Sequence, residues 1–328
     1  MKNILVIGGG SIGERHVRCF QKTGRADVVL CEMNDELRQQ LVASYSLSNS
    51  FTSLDDALKE SFDGAVICTP AQLHVRMAQR LVEHRIATLI EKPLSISMDG
   101  ISDLQAAVAT HQLPVSVAYV MRQYPALVEM KNALDREKFG RPVQVVYTGG
   151  QHFPFYRPAY RDIYYTKHAT GGGAIQDALT HVMNTAEWIV GPVTRLVADA
   201  EHCVLDGVDV EDTVHVITRH GPILGSFSLN QHQPVSEARL TVVCERGAAQ
   251  FEGHRSRWLS ASEPDGPWQV ENEFTLERDD LFVRQANAFL DQLDAGAPAA
   301  CSLDDAVQTL KVNLATLASV RTKKWVQI

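Results

Sequence analysis

The sequence has no apolar run approaching the roughly 18 residues of a membrane-spanning helix, no block of consecutive Lys or Arg, and no cysteines at metal-binding spacing. The first absence excludes a transmembrane helix. The second, with a formal net charge of -8, argues against a nucleic-acid or anionic-membrane surface. Six cysteines, Cys19, Cys31, Cys68, Cys203, Cys244 and Cys301, are scattered without a CxxC or CxxH pattern. Neither a metal site nor a disulfide framework is expected, and reduced thiols fit a cytoplasmic protein. A strand-like run begins near residue 3, leaving no room for a signal peptide. No internal repeat or low-complexity segment stands out.

What remains is a chain of 328 residues with 45% hydrophobic content, enough for a large core and, on length, two domains. The run at 3–7 is short and continuously apolar, as in a buried parallel strand. Gly8-Gly-Gly10-Ser11-Ile12-Gly13 follows at once, and a helix is expected over 13–22. Gly8, Gly10 and Gly13 have the GxGxxG spacing: a tight turn, room for a pyrophosphate against backbone, and close helix-to-strand packing. A second strand at 27–31 ends in Glu32, where a dinucleotide site needs an acid for the ribose hydroxyls. A carboxylate there repels the 2′-phosphate of NADP and favours NAD; the other reading is a solvated strand end.

The alternation continues with a helix at 35–44, a short strand at 49–52, a helix at 54–60 and a strand at 64–68. That strand ends in Thr69-Pro70, and 72–85 follows as a helix carrying His74. Strand ends in open α/β sheets are where ligands bind, so Thr69, Pro70 and His74 are candidates for the cofactor crevice. His74 also reads as a plain polar residue at a helix start. The strand at 86–90 then delivers Glu91-Lys92-Pro93 to the same carboxyl edge. Pro93 turns its predecessor away from helix and, in a cis peptide, aims the Lys92 side chain in a fixed direction. A helix at 98–110 and a strand at 114–119 complete this half.

Gly8-x-Gly10-x-x-Gly13, Glu32, Thr69-Pro70 with His74, and Glu91-Lys92-Pro93 together resemble the glucose-fructose oxidoreductase and inositol dehydrogenase (Gfo/Idh/MocA) family. The Glu-Lys-Pro triplet is its most specific mark. The resemblance extends to the second half, where Arg122-x-x-Pro125 and Gly140-Arg-Pro142 have a family-like layout. Strands are expected at 143–148, 193–200, 213–219, 223–229, 239–245 and 248–252, separated by Gly and Pro turns. This predicts a mostly antiparallel sheet.

Within that half, Gly171-Gly-Gly-Ala174 reads as a flexible entry to a helix at 174–190. Asp177 and His181, four apart, share one side of it, offset from its apolar stripe. A carboxylate beside a histidine fixes the imidazole and raises its basicity, which suits removal of a proton from an alcohol. The bland reading is a helix-surface Asp and His. In the family that is resembled, the lysine of Glu-Lys-Pro and the Asp and His of this helix are the catalytic set, matched here by Lys92, Asp177 and His181. Upstream, 151–168 is a loop rich in aromatic and basic groups, including Tyr156, Arg157 and Arg161. It suits recognition of a polyol or acidic sugar, and equally an oligomer contact. Helices at 281–295 and 302–320, the latter with an N-cap at Ser302, look structural.

The expectation is therefore an α/β Rossmann domain at 1–120 joined to an α+β domain at 121–328 with a large, mostly antiparallel open sheet. The cofactor-binding set is Gly8, Gly10, Ser11, Ile12, Gly13, Glu32, Thr69, Pro70, His74, Glu91 and Lys92. The substrate-binding set is Lys92, Arg122, Tyr156, Arg157, Arg161, Asp177 and His181, with Lys92 and His181 converging on one cleft. The resemblance implies an NAD-dependent dehydrogenase of a sugar-like secondary alcohol, in a homodimer or homotetramer. The alternatives are a dinucleotide-binding regulator and an NAD-dependent glycosidase.

Overall fold

A computed structural model describes residues 1–328. The chain opens with β1 (Lys2–Ile7), α1 (Ser11–Lys22), β2 (Ala26–Cys31), α2 (Asp35–Tyr45), β3 (Ser50–Phe51) and α3 (Leu54–Ala57). It continues with β4 (Gly64–Ile67), α4 (His74–Glu83), β5 (Ala87–Ile90), α5 (Ile101–His111) and β6 (Val115–Val117). The six strands are parallel in the order β3-β2-β1-β4-β5-β6. This is the dinucleotide-binding order, with its reversal beside β1. Ile4, Leu5 and Val6 are wholly buried because helices cover both faces of a parallel sheet. That is why these strands read as unbroken apolar runs.

Next come α6 (Pro125–Asp135), β7 (Pro142–Gly150), the short α7 (Phe153–Tyr156), α8 (Thr180–Val190), β8 (Arg195–Glu201) and β9 (Thr213–His220). β10 (Ile223–Asn230), β11 (Glu237–Cys244), β12 (Gly247–Glu252), β13 (Arg257–Ala261) and β14 (Gln269–Glu273) follow. The chain ends with α9 (Asp280–Ala295), α10 (Leu303–Thr322) and β15 (Val326–Gln327). The nine-stranded sheet runs β14-β13-β12-β11-β7-β10-β9-β8-β15. It is antiparallel except for β7 with β10. The alternating burial of β9 and β10 shows one covered and one open face. No helix is long and apolar enough to cross a membrane.

The chain divides into two compact units, Met1–Gln123 with Glu277–Val307, and Tyr124–Leu276 with Gln308–Ile328. The return of 277–307 to the first unit is not signalled in the sequence. Its physical cause is the apolar face of α9: Ala286, Phe289 and Leu290 enter the same core as Ile4, Phe20 and Val28. Phe20 and Phe289 meet edge to face, 6.2 Å between centroids, an arrangement worth about 0.5–1.5 kcal/mol beyond burial. Asp279 pairs with Arg18 through two bonds of 2.7 and 2.9 Å. The guanidinium holds that carboxyl down to about 2. The last turns of α10 belong to the second unit, where Asn313 bonds Thr180 at 2.8 Å. Ser302 caps α10 as expected, its hydroxyl accepting from the Asp305 amide at 3.1 Å.

Candidate active site

In the first unit, the glycine loop closes on itself. Gly8 has φ +96° and donates its amide to the Cys31 carbonyl at 2.8 Å. A Cβ on Gly13 would lie 1.8 Å from the Gly8 carbonyl oxygen, so only glycine lets α1 start this close to β1. A Cβ on Gly10 meets no atom within 4 Å. The loop is open on that side, and α1 begins at Ser11, so the first-turn amides, Ser11 and Ile12 among them, have no intrahelical acceptor. Such a helix start binds anions, and the residues present fit a dinucleotide pyrophosphate.

Glu32 is more than a solvated strand end. Its carboxylate accepts from the Gly9 amide at 2.6 Å and from the Asn34 amide at 2.7 Å, which fixes a negative charge beside the loop. Asp35 and Glu36 add two more carboxylates in the first turn of α2. A 2′-phosphate here meets like charge at a cost of several kcal/mol. NADPH is thus expected to bind about 100-fold or more weakly than NADH, and Glu32→Ser to narrow that gap at least about tenfold. Fluorescence titration with both nucleotides reads this; an unchanged ratio in the variant would remove Glu32 as the discriminating group.

β4 and β5 end side by side in the sheet, carrying Thr69-Pro70 and Glu91-Lys92-Pro93 at their carboxyl ends. The Lys92–Pro93 peptide is cis. His74 is buried, its Nε2 2.7 Å from the Thr69 carbonyl and its Nδ1 3.0 Å from the Pro93 carbonyl. Burial pushes its pKa down. The ring therefore ties the two strand-end loops together and gives its polar atoms to the protein. Glu91, also buried, bonds His16 Nε2 at 2.7 Å and the Lys92 amide at 3.0 Å. Burial pushes the Glu91 carboxyl up, but the His16 bond, the neighbouring Lys92 charge and the Lys92 amide together hold it below its usual range. His74 and Glu91 thus frame Lys92, itself half-buried, instead of offering a ligand their own charge.

In the second unit the expected single α-helix at 174–190 begins differently. Ile175–Leu179 is a π-turn and α8 starts only at Thr180. A π-turn carries i→i+5 bonds, so Asp177 and His181 do not have plain α-helical i,i+4 geometry. Both are half-buried. The Tyr164 hydroxyl donates to Asp177 Oδ1 at 2.6 Å. Glu211 anchors the entry: it accepts from the Ile175 amide at 2.8 Å and bonds His168 Nε2 at 2.5 Å. That bond raises the His168 pKa. A Cβ on Gly173 (φ +90°) would sit 2.6 Å from the Glu211 carboxylate, so the glycine is required by this anchor.

The proposed recognition loop is partly structural. Phe153, Tyr160 and Tyr165 form a small core with Leu205, Val208 and Val210. Arg161 lies over the Tyr160 ring at 5.0 Å and donates to the Asp206 carbonyl at 2.9 Å. Tyr156 accepts from the Ser236 hydroxyl at 3.0 Å. Arg157 is exposed. Arg122 is buried, with Nη1 3.0 Å from both the Ala300 carbonyl and Asp305. It anchors 277–307 in the first unit rather than presenting its charge to solvent. Sequence reasoning missed Glu211 and His16, and it took in Tyr164 and His168 only as members of the 151–168 loop. His16 had a local signal, three residues after Gly13; Glu211 had none.

The sheet order, the glycine loop and the fixed acid after β2 define an NAD-binding Rossmann oxidoreductase domain. Residues 2–119 match the family model described as oxidoreductase family, NAD-binding Rossmann fold, and residues 127–250 match the GFO/IDH/MocA C-terminal domain. The chain belongs to the Gfo/Idh/MocA family of oxidoreductases. It is 22% identical to an inositol 2-dehydrogenase of Rhizobium meliloti (strain 1021), over 98% of each chain. Its fold matches a levoglucosan dehydrogenase in complex with NADH and levoglucosan: TM-score 0.90, 20% identity, 100% of this chain and 99% of that one. It also matches an oxidoreductase from Agrobacterium radiobacter in complex with NAD+, L-tartaric acid and magnesium: TM-score 0.88, 16% identity, 99% and 98% covered.

Proposed function

We propose that this protein oxidises a secondary alcohol of a sugar, cyclitol or sugar derivative with NAD, using Lys92, Asp177 and His181. The observation that carries the reading is the Asp177 carboxylate, held by Tyr164 in a π-turn immediately before His181, in a chain that also carries Lys92 in its Glu-Lys-Pro loop. π-turns inside helices are frequent at functional sites. NAD, when bound, supplies the hydride acceptor. His181 takes the hydroxyl proton as general base. Asp177 favours the imidazolium that results, and the Tyr164 phenol fixes the direction of its carboxylate. The Lys92 ammonium hydrogen-bonds the reacting oxygen and stabilises its growing negative charge. The Ser11 and Ile12 amides and Glu32 hold the nucleotide's pyrophosphate and ribose ends. In the substrate set Arg157 takes precedence over Arg122 and Arg161, whose side chains are engaged within the protein, and Tyr164 joins the set through its bond to Asp177.

The test is NADH absorbance over a panel of polyols, aldoses, sugar acids and amino sugars. Stoichiometric NADH with one class supports the reading. A silent panel with tight NADH binding points to a regulator, and sugar release without net NADH to an NAD-dependent glycosidase. We further propose a homodimer or homotetramer through the open face of the nine-stranded sheet, where Ile217 and Leu224 are 49% and 45% exposed. A monomeric mass in sedimentation would remove that assignment.

A further inference from the structure

We infer that Glu91 and His16 form a buried positioning pair that fixes the main chain of Lys92. This rests on Lys92 being the reacting-oxygen ligand, as proposed above.

His16 is fully buried on α1, one turn beyond the glycine loop. It packs between Phe20 and Phe282, with centroids at 6.2 and 5.8 Å. Its Nε2 donates to Glu91 Oε1 at 2.7 Å, while its Nδ1 is buried with no partner. Nε2 therefore carries a ring proton. Glu91, 5% exposed, spends its second oxygen on the Lys92 amide at 3.0 Å. A carboxylate this deep is costly, and an apolar pair of similar volume fills such a place as well or better for stability alone. What an apolar pair cannot do is accept the Lys92 N–H. On the far side, His74 Nδ1 lies 3.0 Å from the Pro93 carbonyl. Two buried imidazoles thus brace the lysine loop, and the one on α1 ties it to the helix whose start binds the pyrophosphate. Glu91 and His16 spend their hydrogen bonds on each other and on the Lys92 amide, so they act through Lys92.

The pair acts by hydrogen bonding and not by charge, which gives a discriminating variant. In Glu91→Gln the amide oxygen accepts the Lys92 N–H and the amide nitrogen donates to His16 Nε2. The ring proton moves to Nδ1, which lacks a partner in either tautomer. Glu91→Ala keeps neither bond. Three variants are compared with the full-length protein: Glu91→Gln, Glu91→Ala, and the double variant His16→Phe with Glu91→Leu. The double variant guards against a misfolded Glu91→Ala, because it replaces the pair by packed apolar groups.

Hydrogen exchange at the Lys92 amide is expected within about threefold of the parent in Glu91→Gln, and about tenfold or more faster in the other two. With the alcohol identified by the panel, kcat should fall about 30-fold or more in those two and by about threefold or less in Glu91→Gln, with NADH affinity changed by about threefold or less in all three. A folded double variant with parental exchange at Lys92 and parental kcat overturns the proposal. So does Glu91→Gln losing as much kcat as Glu91→Ala, since charge would then be the operative property. The exchange arm needs no substrate: if Lys92→Met stays active, the catalytic reading fails while exchange still reports whether the pair holds the main chain.

Discussion

Gly13→Ala will weaken NADH binding by about 100-fold or more and destabilise the protein by several kcal/mol. The added methyl carbon would stand 1.8 Å from the Gly8 carbonyl oxygen and 2.9 Å from its carbonyl carbon. No flexible side chain lies there to swing away, so backbone must move. Gly8 is itself held, its amide donating to the Cys31 carbonyl at 2.8 Å. The start of α1 must therefore lift from β1, and with it the Ser11 and Ile12 amides. Gly10→Ala is the informative companion, because its Cβ meets no protein atom within 4 Å. It should keep the parental melting temperature yet lose NADH affinity, by about tenfold or more, since the methyl occupies the space left for the pyrophosphate. Fluorescence titration and a circular dichroism melt on both variants separate the two effects. Parental NADH affinity in Gly10→Ala would show that the nucleotide does not lie on this side of the loop.

The contrast between these glycines shows which parts of the molecule are legible in its sequence. The glycine loop, the buried strands and Glu32 are encoded within about 30 residues, where spacing alone dictates geometry. The sequence does not signal β13 and β14: β14, Gln-Val-Glu-Asn-Glu, is exposed at every position, so it carries no apolar alternation to read. α9 is legible as a helix, but its apolar stripe does not say which core receives it. The π-turn at Ile175–Leu179 escapes any 3.6-residue template. Its anchor, Glu211, lies 36 positions beyond Ile175. Likewise His16 and Glu91 are 75 apart and meet only when α1 packs beside β5's end. Pairs of this kind are tertiary facts, and they are the ones that orient the residues the motifs identify.

Lys92→Met and His181→Asn should each lower kcat/KM by about 10²–10⁴, the range for loss of a positioned acid–base group or of a charge on the reacting oxygen. NADH affinity should change by about threefold or less in each, for different reasons. In the first unit, the proposed pyrophosphate and ribose contacts are the glycine loop and Glu32, which Lys92→Met leaves intact, as it does the Glu91 bond to the residue 92 amide. In the second unit, His181 lies one residue inside α8, past the π-turn whose entry Glu211 holds through main-chain contacts that His181→Asn does not touch. Asp177→Asn is predicted to fall less, by about 10–10². The Tyr164 hydroxyl can still donate to the amide oxygen, so orientation survives while the charge that favours imidazolium is lost. An order of severity with Asp177→Asn worst would make Asp177 the base and His181 its support. Parental turnover in Lys92→Met would reduce the Glu-Lys-Pro loop to a structural turn and leave His181 to act without an electrophilic partner from this chain.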